Sequence, residues 1–145
     1  MSTVVFHLGE PRHGWLQVRL KLGSKEFEFP CSDAVNNPLG DLVDALYATA
    51  SGHEASVLWF LEPGGYWFDF GSTGDRVEVR IYLGESMTGA DRQLEASLEG
   101  PRSDVLLPFL RSVQRLAASP LNQPHWPPLD RTRLDKVREL LRAES

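Results

Sequence analysis

Two carboxylates stand on either side of a tight turn in the middle of the chain. Glu62 precedes the Pro-Gly-Gly turn at 63–65 and Asp69 follows it, so a hairpin here would bring the two side chains together. Paired carboxylates can act as general acid and general base when their surroundings separate their pKa values. With Tyr66 and His53 they are the polar groups of a candidate small-molecule pocket. A glutamate before Pro-Gly-Gly is also typical of a solvated turn, and both interpretations stay open.

The other nucleophiles and metal ligands are poorly spaced for chemistry. Cys31 is the only cysteine, which excludes an intrachain disulfide and a multi-thiolate metal site. Its place in an alternating strand predicts an unreactive thiol that faces the core. None of the four histidines is spaced from another ligand as a zinc site requires; they are His7, His13, His53 and His125. We therefore expect no catalytic residue, no metal and no cofactor.

Six aromatic side chains lie within residues 59–70, around the same turn. Strand alternation puts rings on both faces of this hairpin, and a single layer of helices covers only one face of a sheet. We expect the surplus, Trp67 with Phe60 or Trp59, to be exposed and to bind another protein, because aromatic residues are enriched at interface hot spots. Packing in the core is the alternative. The predicted partner-binding residues are Trp59, Phe60, Tyr66, Trp67 and Trp126.

The N-terminal part of the chain predicts three strands and a helix. Residues 3–8 are rich in β-branched and aromatic types, and residues 14–22 alternate apolar with polar side chains. Gly23-Ser24 predicts a two-residue turn, and the return strand places Phe27, Phe29 and Cys31 on one face. Asn37 followed by proline is a strong helix start, and apolar spacing continues the helix over 38–50.

The C-terminal part predicts further strands and two helices. Strands are expected at 55–61, 66–70 and 76–83, and residues 92–99 can add another with Leu94, Ala96 and Leu98 inward. A helix is expected over about 106–118, with Pro108 in or just before its first turn. Four prolines make residues 120–128 a stiff connector to a last helix over 129–142.

Together these elements predict one α+β domain over residues 1–145. The order βββ-α-βββ(β)-α-α implies a twisted antiparallel sheet of six or seven strands, with helices packed on one face. The helices over 38–50 and 106–118 cover that face. The last helix is expected at an edge of the sheet or on a second subunit, which makes a homodimer possible.

The distribution of charged residues limits the kinds of molecule that this chain is expected to bind. The formal net charge is −5, which weighs against nucleic acid, because such binding needs clustered bases to neutralise phosphates. Residues 131–145 nevertheless hold five bases and three acids, and this basic segment could pair with the acidic body or with an acidic protein. No leader peptide or apolar run of membrane-spanning length is seen, so we expect a cytoplasmic protein that does not bind membranes.

Three strings carry a resemblance, namely residues 14–20 (GWLQVRL), 38–46 (PLGDLVDAL) and 59–66 (WFLEPGGY). They resemble a loose set of small, uncharacterised bacterial domains, some of which look like immunity proteins encoded beside secreted polymorphic toxins. The resemblance covers about residues 12–85 and brings no catalytic residues. It implies a non-enzymatic domain that binds another protein, such as a basic toxin.

The sequence thus supports two functional hypotheses of different classes. The first is a non-enzymatic, immunity-type protein that recognises its partner through exposed aromatic residues and an acidic surface. The second is a small-molecule-binding protein or hydrolase with a pocket between sheet and helices, where Glu62, Asp69, Tyr66 and His53 would supply the polar groups. A filled interface between sheet and helices would count against the second.

Overall fold

The computed structural model describes residues 3–86, 88–118 and 127–142. These residues form seven strands and three helices in the predicted order, with the seventh strand present. The strands are β1 (Val4–Leu8), β2 (Trp15–Leu22), β3 (Lys25–Ser32), β4 (Ala55–Phe60), β5 (Gly65–Thr73), β6 (Arg76–Gly84) and β7 (Gln93–Pro101). The helices are α1 (Pro38–Ala50), α2 (Arg102–Ala118) and α3 (Arg131–Arg142). The predicted α+β class is confirmed.

The strands form one antiparallel sheet in which each strand pairs with its neighbours in the chain, from β1 to β7. The β2–β3 hairpin has the predicted register, which places Arg19 opposite Glu28 with 3.5 Å between guanidinium and carboxylate. Where β3 meets β4, the ladder is reduced to one pair, Ser32 with Phe60. The sheet therefore consists of a three-stranded and a four-stranded part that diverge from this point.

Helix α1 begins as the sequence predicts. The side chain of Asn37 accepts a hydrogen bond from the backbone N–H of Gly40 at 3.2 Å, and Pro38 occupies the first turn. Leu42 and Leu46 are fully buried on the side that faces the sheet. The helix therefore covers β4 and the start of the aromatic hairpin.

Helix α2 begins earlier than predicted, at Arg102, and Pro108 lies inside it. The expectation of a start near 106 was wrong. Pro108 removes one hydrogen bond to the preceding turn, but the helix retains a long buried stripe that includes Val105, Phe109 and Val113. Packing of an amphipathic face stabilises most protein helices more than intrinsic propensity does, so the stripe outweighs the proline.

Helix α3 lies on α1 and α2, and the expectation of a position at the sheet edge or on a second subunit was wrong. Its buried residues Leu134, Val137 and Leu141 recur on one helical face. Arg133 reaches α1, where its guanidinium lies 3.1 Å from the carboxylate of Asp44. Helix α3 therefore forms an outer layer above the two helices that cover the sheet.

Strand β7 contains a bulge that reverses one predicted orientation. Ala96 pairs with Ile81 and Leu98 with Val79, on the inner face as expected. The register then shifts by one residue, so that Leu94 pairs with Tyr82 on the outer face. Leu94 is 52% exposed, and its predicted inward orientation was wrong. One extra residue in a strand sends every following side chain to the other face.

Two predictions from the sequence concern residues that the structure does not describe. They are the partner-binding role of Trp126 and most of the proline-rich connector at 120–128. Within the described ranges, none of the helices combines the length and the apolar character that crossing a membrane requires.

Candidate functional site

The inner face of the aromatic hairpin is the centre of the core. Trp59 and Phe68 are completely buried, and their ring centroids lie 5.3 Å apart. Phe6 of β1 contacts both rings and also Phe109 of α2, with centroids 4.7 Å apart in the last pair. The rings of this face thus join the two parts of the sheet to the helical layer.

The rings of the outer face are also buried, so the expected aromatic contact surface is absent from this hairpin. Phe60 is 8% exposed and Trp67 is 7% exposed. Trp67 is covered by the loop between β6 and β7, where a methyl group at Gly84 would lie 3.0 Å from the indole and one at Gly89 3.3 Å from it. The expectation that helices alone must cover the rings was wrong, because a loop can cover a sheet face as well.

Asp69 holds that loop against the sheet. Its carboxylate accepts two hydrogen bonds from the guanidinium of Arg92, at 2.9 and 3.3 Å, and one from the hydroxyl of Ser56 at 2.6 Å. The same guanidinium lies 4.2 Å from the ring centroid of Tyr82. Asp69 is therefore committed to an ion pair that fixes the loop over Trp67, and it does not pair with Glu62.

The four polar pocket candidates do not meet. Glu62 lies in the β4–β5 turn and His53 in the exposed connection before β4, at opposite ends of that strand. Tyr66 is on the inner face, stacked on Phe29 with centroids 4.4 Å apart, and burial followed by the charge of Glu95 raises its pKa. None of the five cavities found among the described residues is lined by any of the four.

The interface between sheet and helices is filled. Four of the side chains that meet there from both layers are at most 1% exposed, namely Leu42, Val57, Phe109 and Val113. Cys31 is fully buried as predicted, and this burial raises the pKa of its thiol to about 12. A thiol in such surroundings stays protonated and is a poor nucleophile. Within the described ranges, no group of three or more His, Cys, Asp or Glu side chains could hold a metal ion.

Two other surfaces stand out; the sequence indicated the basic character of the second but gave neither of them as a site. The first is β7, an end strand that pairs with β6 alone and whose side chains are mostly exposed. The sequence pattern of this strand is weak, so its edge was not expected to be a binding site. The signal that could have indicated one is the presence of two glutamates and no base within nine residues. The second is a groove between α2 and α3, lined by Arg111, Arg131, Arg138 and Arg142. The basic character of the last helix was its signal.

No family model, no curated protein and no solved structure matched this chain.

Proposed function

We propose that this chain is a non-enzymatic protein-binding domain, which binds a basic, extended segment of another protein along the open edge of β7. The observation that carries the proposal is the edge itself. It is nine residues long, and among the described residues it pairs with β6 on one side. Its own residues include two acids and no base, and one of these acids, Glu99, lies 2.8 Å from Arg76 of β6. Addition of a strand to such an edge is a common mode of peptide recognition.

The backbone of β7 presents an ordered row of hydrogen-bonding groups. The N–H of Arg102 donates to the carbonyl of Asp75 at 2.9 Å, which continues the β6–β7 ladder. In an antiparallel ladder, hydrogen-bonded pairs alternate with pairs whose N–H and C=O groups point away from each other. By this alternation Ser97 and Glu99 direct their backbone groups outward, where an added strand would bond to them.

Charge favours a basic partner over a second copy of this chain. If two β7 strands paired antiparallel about Ser97, the acids Glu95 and Glu99 of each copy would come near those of the other, and Arg76, 2.8 Å from Glu99, would offset only part of this repulsion. Like charges directly opposite each other destabilise a strand pair. A strand with lysine or arginine at these positions would gain from the same charges, and the acidic surface would accelerate its association. Exposed Leu94, beside Tyr82 on the outer face, adds an apolar contact.

The finer assignment rests on the resemblance of residues 12–85 to immunity-type domains. In this proposal the chain is a cytoplasmic bacterial protein that neutralises a basic toxin. The buried, protonated state of Cys31 agrees with a role that uses no thiol chemistry. The two acids of β7, Glu95 and Glu99, would steer the toxin to this strand.

Binding of a synthetic peptide tests the edge. The probe is a fluorescein-labelled peptide that alternates lysine with valine, and the control probe has glutamate in place of lysine. Ser97→Pro removes one outward N–H without touching the β6–β7 ladder, so we expect it to weaken anisotropy-detected binding about fivefold or more. Ser97→Ala keeps the backbone group and is the matched control.

Equal binding by the two Ser97 variants, or equal binding of the two peptides, would contradict the proposal. Circular dichroism confirms that each variant is folded. The finer assignment requires a cell assay in which the neighbouring gene product is expressed with this chain. We expect wild type and Ser97→Ala to protect the cell and Ser97→Pro to lose protection. A harmless neighbour, or protection that Ser97→Pro retains, argues against it.

A further inference from the structure

A groove follows the seam between α2 and α3 on the outside of the helical layer. The helices are antiparallel, since the hydroxyl of Ser103 donates to the carbonyl of Leu141 at one end and Arg131 donates to the carbonyl of Ala117 at the other. Two depressions of about 430 and 320 Å³ lie along the seam and share Gln114 and Arg138. The two depressions adjoin at these two residues and lie along α3, which is about 18 Å long.

The charge of this groove is opposite to that of the molecule. Among the described residues, four arginines line it against one acid, Asp135; they are Arg111 from α2 and Arg131, Arg138 and Arg142 from α3. Arg138 lies 3.2 Å from the carboxylate of Asp135, and Arg131 donates to the carbonyl of Ala117, so the groove keeps a net positive charge that these contacts offset in part. The chain as a whole carries a formal net charge of −5. Arg131, Arg138 and Arg142 are spaced so that they share one face of α3. An ordinary solvated helix face would mix acids evenly among these bases, whereas here the acid count is one.

The wall beneath the arginines is apolar. Leu107 and Leu110 of α2 and Leu134 and Leu141 of α3 line the two depressions. Leu107 is half-buried, whereas the other three are buried. The apolar surface that remains accessible in the groove comes from Leu107, Ala117 and Ala118, and a ligand with an apolar stripe flanked by acids would match it. That is the pattern of an amphipathic acidic helix.

We infer that the α2–α3 groove binds an acidic amphipathic helix of a partner protein, through a surface separate from the proposed β7 edge. Such a helix would lie along the seam as a third member of the helical layer, in the helix-in-groove mode of recognition. Its carboxylates would accept bidentate hydrogen bonds from the guanidinium groups, which arginine provides better than lysine. The groove length accommodates a helix of about 12 residues.

Nucleic acid fits this surface less well. A nucleic-acid backbone is bound by basic residues that contact several successive phosphates. Here the exposed acids Asp104 and Glu139 lie on the same two helices and would repel phosphates beyond the groove. The apolar floor also has no counterpart on a phosphate backbone. The groove therefore selects a compact acidic ligand with apolar side chains.

The test uses three labelled probes and a pair of charge-matched variants. The probes are an acidic helical peptide of glutamate and leucine, the same peptide with glutamine in place of leucine, and a single-stranded thymidine oligonucleotide. The double variant R111E/R138E reverses charge in the groove. The double variant R12E/K136E makes the same change in net charge at exposed positions outside it.

We expect the acidic apolar peptide to bind most tightly, and R111E/R138E to weaken it about tenfold or more while R12E/K136E changes it less than about twofold. If R111E/R138E does not fold, the milder pair R111Q/R138Q replaces it, with a smaller loss expected in the same direction. Equal losses in the two double variants would overturn the inference. So would undetectable binding of the acidic peptide, or tighter binding of the oligonucleotide. Binding of the lysine–valine peptide to β7 is measured separately, so the two proposals can fail independently.

Discussion

The two end strands of the sheet differ in what covers their outer edges. On β1, α2 lies along the edge, and the hydroxyl of Ser112 donates a hydrogen bond to the backbone carbonyl of Phe6. On β7, which is the longer strand, α2 and β2 make fewer contacts than α2 makes with β1, and no side-chain hydrogen bond to its outward backbone groups is seen among the described residues. Helix α2 begins where β7 ends, but it packs along β1 and does not close the outer edge of β7.

This difference indicates how the open edge avoids self-association. Native proteins protect exposed edges with charges, prolines and bulges, and β7 has all three in Glu99, Pro101 and the register shift between Leu94 and Ala96. These features disfavour pairing with the β7 strand of a second copy of this chain. They do not prevent pairing with a basic strand of another protein. The open edge is therefore selective, whereas the β1 edge is closed.

The largest expected difference between β1 and β7 is in how much a side chain of each strand contributes to the free energy of unfolding. Phe6→Ala removes a ring that contacts Trp59, Phe68 and Phe109, and we expect the free energy of unfolding to fall by about 3–5 kcal/mol. Leu94→Ala on β7 should change it by less than about 0.5 kcal/mol, because that side chain is half in solvent. Urea denaturation measures both values. Comparable losses would show that β7 contributes to the core as β1 does.

A smaller contrast concerns the hydroxyl that closes the β1 edge. Ser112→Ala leaves the buried carbonyl of Phe6 without its donor, so we expect a loss of about 1–3 kcal/mol. Ser97→Ala on the open edge should cost less than about 0.5 kcal/mol. Urea denaturation measures the free energy of unfolding of both variants, and hydrogen exchange measures the protection of the β1 amides in each. A neutral Ser112→Ala would mean that helix packing alone closes the edge.

A third contrast, which is confined to high pH, concerns the pH dependence of stability at Cys31 on β3. Its folded-state pKa is raised from 9.0 to about 12, so the unfolded thiol releases its proton at lower pH than the folded one. The stabilisation is fully present below pH 9 and is lost as pH rises toward 12, by up to about 1.4 kcal/mol per pH unit.

Comparison of wild type with Cys31→Ala isolates this effect, because the raised pKa of Tyr66 contributes with the same sign in both proteins. Thiol labelling provides an independent measurement. We expect Cys31 to resist labelling in the native state and a cysteine introduced by S97C, in a Cys31→Ala background, to react rapidly. Rapid labelling of native Cys31 would contradict the complete burial of this thiol.

Much of the fold was predictable because local rules apply over a few residues. The Asn37 cap, the Gly23-Ser24 turn and the faces of the aromatic hairpin depend on backbone geometry and on side-chain alternation. The burial of Trp67 was not predictable in this way. It depends on Gly84 and Gly89 in a loop that follows another strand, and no local pattern indicates that this loop lies over the indole.

The candidate surfaces show the same division. By itself the sequence determined where strands and helices form, how their apolar faces alternate, and that the last helix is basic. Only the tertiary structure decided that a bulge turns Leu94 outward, that α2 covers β1 but not β7, and that Arg111 joins the arginines of α3 in one groove. The physical reason is range: hydrogen bonds and side-chain periodicity act along neighbouring residues, whereas the meeting of distant faces depends on how the whole chain packs.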